Sequence, residues 1–281
     1  MRTASFERIR WDVPAEGVGR ITLARADKAN AQDRTMLYEI DAAFGGAMQD
    51  DDIKVVILAA DGKHFSSGHD LADSMAVSDA GGPVTGAGGF SEPGPHGHFA
   101  TEQEIYLGLC WRWRNLPKPT IAQVQGKVIA GGLMLVWPMD LVVAARDATF
   151  SDPTVAFGVN GHEYFTHAWE VGARKAKEML FRGHGLTADE CERLGMVNHV
   201  VDRDELESFT LGLASEIAER PAMGLKLAKL AVNQSLDAQG QWQAIQAALG
   251  LHHLGHAHAR VQHGIPVDPS GAEVIRRMNR S

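Results

Sequence analysis

Only two cysteines occur in 281 residues. Cys110 and Cys191 stand far apart and form neither a CxxC pair nor a metal-ligand spacing. A disulfide framework is therefore not expected, and a reducing compartment fits. Basic excess is also missing: 27 Lys and Arg face 35 Asp and Glu, for a net charge of −8. Nucleic acid, whose phosphates demand a basic surface, is excluded as the default partner. No run of about 18 apolar residues exists, so no membrane span is expected. The stretch MRTASFERIRWD lacks the apolar core of a secretory signal. These absences together point to a cytoplasmic protein with neither a membrane nor a nucleic-acid partner.

What is present is an ordinary globular balance, 44% hydrophobic and 22% charged, able to bury a large core. VGRITLA (18–24) reads as a strand. Asp33 is placed to cap a helix through Met48, because Met36, Leu37, Ile40, Phe44 and Met48 share one face. KVVILAA (54–60) is a continuous apolar run suited to a buried strand. Strand, helix and strand in that order predict a parallel crossover. A second round follows in TIAQVQG (120–126), a short helix over Gly131–Trp137, and DLVVAA (140–145). TFS (149–151) is expected as a short strand beside the last of these.

Between the rounds lies AGGPVTGAGGFSEPGPHGH (80–98), with seven glycines and three prolines. It is expected to be a mobile loop, either a lid or an insertion without a role. From residue 162 the pattern turns helical. HEYFTHAWEVG, ARKAKEMLFRG and TADECERLG end in glycine as helices often do, and VNHVV (197–201) is one more strand. Amphipathic helices are predicted over 203–219, 221–236 and about 240–263, before an irregular tail, 264–281. The predicted organisation is an α/β core over 1–201, a helical region over 202–263, and the tail.

Two glycine turns carry the chemistry. In GKHFSSGHDL (62–71), Gly68 permits a sharp turn after the buried strand and leaves the His69 N–H free to face a ligand. In VIAGGLMLVWPMD (128–140), the Gly131–Gly132 pair opens a helix after a second strand. Two such N–H groups can converge on one carbonyl oxygen as an oxyanion hole.

With ARADKANAQD, VVILAADGKHFSSGHDL, PKPTIAQVQGKVIAGGLMLVWPMDLVVAARDATFSDP and GARKAKEMLFRGHGLTADECERLGMVNHVV in this order, the chain resembles the crotonase, or enoyl-CoA hydratase/isomerase, family. The resemblance implies a spiral of ββα repeats with a C-terminal helical region that mediates a homotrimer or a dimer of trimers. It implies an acyl- or enoyl-CoA thioester as ligand, with coenzyme A part of the substrate and no separate cofactor. The thioester oxygen would lie between the N–H groups of His69 and Gly131, with Gly68 and Gly132 shaping the two turns. The His69 ring would be a departure from the family, expected to pack or to face solvent. Arg25 and Lys28 match a region that touches CoA in the family; the alternative is a solvated basic turn. Asp70 is expected to fix its turn through hydrogen bonds.

In the family's hydratases two glutamates handle protons. Their positions are matched here by Met134 and Thr154, and neither side chain is a base near neutral pH. Both residues are then expected only to shape the pocket. The replacement acid is sought in FGVNGHEYF (157–165): Glu163 first, His162 second. One carboxylate suffices to shuttle a proton between carbons. A competing reading makes Asn160 a helix N-cap with Glu163 three residues on, satisfying backbone N–H groups. Asp152 reads as a turn acid. His252, His253, His256, His258 and His263 lie on the last predicted helix. His252 and His256 have a metal-compatible spacing, but no acid adjoins them in sequence, so no metal is expected; a subunit contact or the CoA tail is the anticipated use. Arg276, Arg277 and Arg280 read as a solvated tail. Two functions remain open: an enolate-forming acyl-CoA enzyme, isomerase-like more than hydratase-like, or a non-catalytic acyl-CoA-binding protein.

Overall fold

The computed structural model describes residues 6–73 and 94–278. Strands β1 (Ile9–Ala15), β2 (Val18–Leu23), β3 (Val55–Ala60), β4 (Thr120–Val124), β6 (Leu141–Ala145) and β9 (His199–Val201) form one six-stranded sheet, in the order β1-β2-β3-β4-β6-β9. Only the β1–β2 hairpin is antiparallel; Leu58 of β3 sits between Ile21 and Ala122 in parallel register. Val56 and Leu58 face one core cluster, and Val55, Ile57 and Ala59 face the other. A strand buried on both faces has no polar alternation to show, which is why 54–60 reads as a continuous run.

Helix α1 (Arg34–Gln49) begins as the sequence predicts, with the Asp33 carboxylate accepting the Met36 N–H at 2.8 Å. It buries Met36, Leu37, Ile40, Ala43, Phe44 and Ala47. A long helical passage follows the undescribed segment: α2 (Pro95–Glu102), a π-helical stretch (Gln103–Gly108) and α3 (Leu109–Arg114). Residues 95–98, read from sequence as loop, are thus the first turn of α2; residues 80–93 of that expected loop lie outside the described residues. Proline at the first helical position and the flanking glycines mimic a loop composition without preventing a helix.

The second sheet was not legible. Gly126, at φ +58°, ends β4 where a side chain would strike the Lys63 carbonyl. The chain leaves the large sheet there and forms β5 (Lys127–Ile129), which pairs with β7 (Thr149–Ser151), itself paired with β8 (Leu186–Thr187). The TFS strand therefore lies beside β5 rather than beside β6. Between β5 and β6 comes a 3-10 turn, Ala130–Gly132, running into α4 (Leu133–Val136).

Helices α5 (His167–Val171), α6 (Ala173–Arg182) and α7 (Ala188–Leu194) follow. The helix expected from His162 starts only at His167. Helix α8 (Leu206–Ala218) covers the outer face of the large sheet with Leu206, Ala214 and Ala218. Helices α9 (Ala222–Ala238) and α10 (Gln241–His263) fold back on the core: Trp242 stacks on Trp111 with centroids 4.0 Å apart, and Gly255 meets the 158–159 backbone. The tail expected to be irregular contains α11 (Gly271–Met278), which carries Arg276 and Arg277; Arg280 lies outside the described residues. No described helix is long and apolar enough to cross a membrane.

Phe44 is fully buried against Trp113. Phe44→Ala is expected to cost about 3–5 kcal/mol, read as a lower denaturation midpoint in urea by circular dichroism.

Candidate active site

The two glycine turns meet. Gly68 has φ +92°, and a Cβ on it would stand 2.7 Å from the Ile129 carbonyl oxygen and 3.2 Å from the Gly131 nitrogen. A Cβ on Gly131 would stand 3.1 Å from the His69 nitrogen, and one on Gly132 2.7 Å from the Ser66 carbonyl oxygen. Only residues without side chains permit this approach. Buried polar groups hold it. Gln32 donates its N–H to the Gly68 carbonyl and accepts from the Asp70 N–H, both at 2.8 Å. Its side-chain amide donates to the Gly131 carbonyl at 2.7 Å. While the neighbours of His69 pair with Gln32, Gly131 approaches the His69 backbone nitrogen. The Gly131 N–H lies in the first turn of its 3-10 helix, where no helical carbonyl precedes it.

The His69 ring neither faces solvent nor simply packs. It stacks on Tyr106 with centroids 3.9 Å apart and lies over Gly131. Its Nε2 is 3.2 Å from Oε2 of Glu163. A carboxylate only accepts, so Nε2 carries a proton; the buried Nδ1 has no protein partner and carries the lone pair whenever the ring is neutral. Burial lowers the His69 pKa, but the Glu163 charge and hydrogen bond outweigh it and the net shift is upward. For Glu163, burial raises the pKa, and the charges of His69 and His252 with the His69 hydrogen bond turn the net shift downward.

Asn160 caps no helix. Its amide donates to the Ala248 carbonyl at 3.1 Å, and Gly161 at φ +147° takes the backbone out of any helical path. The capping reading of Glu163 is thereby replaced: the carboxylate is buried and aimed at His69. His162 is also buried, its ring between Trp137 and His167. Burial, with the neighbouring His167, pushes its pKa down to about 3, so it is neutral at neutral pH and a poor proton carrier.

Asp152 organises this loop. It accepts from the backbone N–H groups of Thr154 at 3.0 Å and His162 at 2.9 Å, and pairs with His167 Nε2 at 2.8 Å. Burial would raise its pKa, but His167 and these bonds outweigh that and hold it below the usual carboxylate range. The Thr154 hydroxyl donates to the same carboxylate. Met134 is buried in the main core cluster. On the other side, Arg25 pairs with Asp33 at 3.1 Å and Asp70 at 3.0 Å and donates to the Ala31 carbonyl. Its charge is engaged inside the turn rather than held out for phosphate; Lys28 is exposed beside it. Asp70 fixes the turn as expected.

Residues 14–267 match the family described as Enoyl-CoA hydratase/isomerase. The chain belongs to this family. It is 43% identical over 264 residues, 92% of this chain and 83% of the relative, to the putative enoyl-CoA hydratase EchA13 of Mycobacterium tuberculosis. A solved structure of a probable enoyl-CoA hydratase from Mycobacterium smegmatis shares 47% identity and a TM-score of 0.84, covering 92% of this chain and 98% of that one. An enoyl-CoA hydratase/isomerase from Xanthobacter autotrophicus Py2 shares 30% identity and a TM-score of 0.81, covering 98% of each. The fold is the crotonase fold.

Within this family frame one feature was missed from sequence. Glu102 of α2, 3% exposed, lies beside Glu163 amid four histidines. His98 Nε2 is 2.8 Å from it, His253 2.9 Å, His256 3.6 Å and His252 3.8 Å; His252 is also 3.6 Å from Glu163. The expectation that no acid lies near the α10 histidines is corrected: the acids come from α2 and from the 158–166 loop. The available signal was the His98–Glu102 spacing of one helical turn, facing an equally spaced pair at His252 and His256.

Asp152→Asn is expected to destabilise the fold by about 3 kcal/mol or more, since it leaves His167 buried beside a weakened partner. Guanidinium unfolding monitored by tryptophan fluorescence checks this.

Proposed function

We propose that this protein is an enolate-forming enzyme acting on acyl- or enoyl-CoA thioesters. The observation that supports the reading is the close approach of the Gly68–His69 and Gly131–Gly132 turns, between whose N–H groups, those of His69 and Gly131, a thioester oxygen would sit. Donors preset around a carbonyl oxygen stabilise the negative charge that grows there when the thioester enolises, and one such donor is worth about 100- to 1,000-fold in rate. The proton is assigned to the pair of Glu163 and His69. Glu163 fixes the ring tautomer, and His69 Nδ1 presents its lone pair beside the hole. With a base near the α-carbon and no glutamate at Met134 or Thr154, a double-bond shift or another single-proton enolate reaction is favoured over hydration. CoA enters as part of the substrate, and Lys28 is the exposed cation available to its phosphates.

A second reading, an acyl-CoA-binding protein without catalysis, is favoured by Met134 and Thr154 and opposed by the burial of Glu163 against His69. The homotrimer or dimer of trimers is part of the proposal. Met223 and Leu227 on α9 and Leu251, Leu254 and Val261 on α10 are exposed apolar side chains, more than a free surface ordinarily gathers on two adjacent helices. A cytoplasmic location remains part of the same reading.

Purified protein incubated with enoyl-CoAs of varied chain length and double-bond position is expected to isomerise at least one faster than it hydrates any. Glu163→Gln is expected to lower that rate about 100- to 10,000-fold. Gly131→Ala, whose methyl would meet the His69 ring at 2.6 Å, is expected to lower it about 100-fold. Hydration that survives Glu163→Gln refutes the acid–base assignment; binding without turnover selects the second reading, and absence of CoA binding refutes both. Light scattering on a sizing column is expected to give three or six chains per particle, and a monomer refutes the assembly.

A further inference from the structure

Three buried side chains aim unpaired or facing atoms at one point behind the oxyanion turn. Glu102 Oε2 and Glu163 Oε1 lie 3.8 Å and 3.6 Å from His252 Nε2. The ligand-type atoms of the three residues all fall within 4.8 Å of one another. Each side chain's other polar atom is already engaged. His98 Nε2 lies against Glu102 Oε1 at 2.8 Å, and His69 Nε2 lies against Glu163 Oε2 at 3.2 Å. His252 Nδ1 donates to the Gly161 carbonyl at 2.8 Å.

The tautomer of His252 decides what the point needs. A carbonyl only accepts, so Nδ1 carries the proton and Nε2 of the neutral ring carries a lone pair. Glu102 Oε2 and His252 Nε2 have no hydrogen-bond partner. His253 Nε2, 2.9 Å from Glu102 Oε2, is also out of line for a hydrogen bond. Two carboxylates and a lone pair then face one another away from water; His98, His253 and His256 stand beside Glu102 and His69 beside Glu163, and a cation among the three facing atoms would offset the repulsion that remains between them.

We propose that Glu102, Glu163 and His252 bind one divalent transition-metal ion next to the oxyanion turn. Ligands about 2.0–2.1 Å from a tetrahedral ion stand roughly 3.3 Å apart, so the observed 3.6 and 3.8 Å close onto an ion with small rotations of the two carboxylates. Two oxygens and one imidazole suit zinc, manganese or ferrous iron better than calcium or copper(I). The hydrogen bonds behind the ligands are those that orient metal-binding imidazoles and carboxylates. His256 repeats the pattern nearby, with Nδ1 on the Pro266 carbonyl and Nε2 unpartnered 3.6 Å from Glu102. The inference deepens the proposed enzyme reading. Glu163 would hold the ion through Oε1 and His69 through Oε2, leaving the proton to His69 Nδ1.

The test uses the full chain without any CoA compound. Protein stripped with EDTA and desalted is titrated calorimetrically with ZnCl2 and, separately, MnCl2. One ion per chain is expected, bound at least about 10-fold more weakly by Glu102→Gln and by His252→Gln. Binding should be unchanged in His258→Gln, which removes an exposed imidazole from the same helix. Circular dichroism checks that each variant folds. Should the two ligand variants unfold, pulsed electron paramagnetic resonance on the unaltered Mn2+-loaded protein decides: coordinated imidazole nitrogen supports the site, and its absence overturns it. No binding, or binding equal in all variants, also overturns the proposal and leaves His252 as a protonated bridge between the carboxylates. CoA-thioester binding, measured separately on stripped protein, reports on the enzyme reading alone, so the two fail independently.

Discussion

The contact on which the site depends is the near-touch of two backbone turns, Gly68–His69 and Gly131–Gly132. Each turn follows a parallel strand, and each is bare on the side that faces the other. Gln32 ties them together, reaching the first through its backbone and the second through its amide. The turns cannot separate without leaving buried polar groups unpaired, a cost of about 1–3 kcal/mol for each. That penalty holds the two turns in place before any ligand arrives, the preorganisation that the proposed charge-stabilising role would require.

Chemistry is layered outward from that contact. The His69 ring lies on Gly131, Glu163 lies on His69, His252 faces Glu163, and Glu102 lies beyond. These residues come from a strand-end turn, an irregular loop, the last long helix and the helix that precedes the π stretch. The protein keeps the fold of its family and gathers buried ionisable groups beside the two glycine turns. Met134 and Thr154 fit this plan: one fills the core, and the other's hydroxyl helps hold Asp152.

The fold was largely legible where burial is simple. Strand β3 and helix α1 show their environment in local periodicity, and Asp33 marked a true helix start. Strand β5 was hidden because three residues after a glycine turn carry no period. Glu163 was misread as a cap candidate because an Asn–x–x–Glu spacing also occurs where the backbone never becomes helical; Gly161 makes the difference. Both glycine turns could be named from sequence, since glycine is required there for steric reasons. Glu102 could not, because its importance comes from side chains about 150 positions away, and no local pattern reports a distant neighbour.

The position of α10 carries a consequence for how the molecule is made. His252 and His256 follow Glu102 and Glu163 in sequence by many residues. During synthesis the sheet and the two glycine turns emerge first, and the two carboxylates then stand without these imidazoles until α10 leaves the ribosome. Until that moment water can reach acids that the finished protein seals away. Burial of these charges is therefore a late event in the life of each chain, and a chain cut short before residue 252 would keep its core strands while leaving Glu102 with His98 and Glu163 with His69 but without the α10 imidazoles.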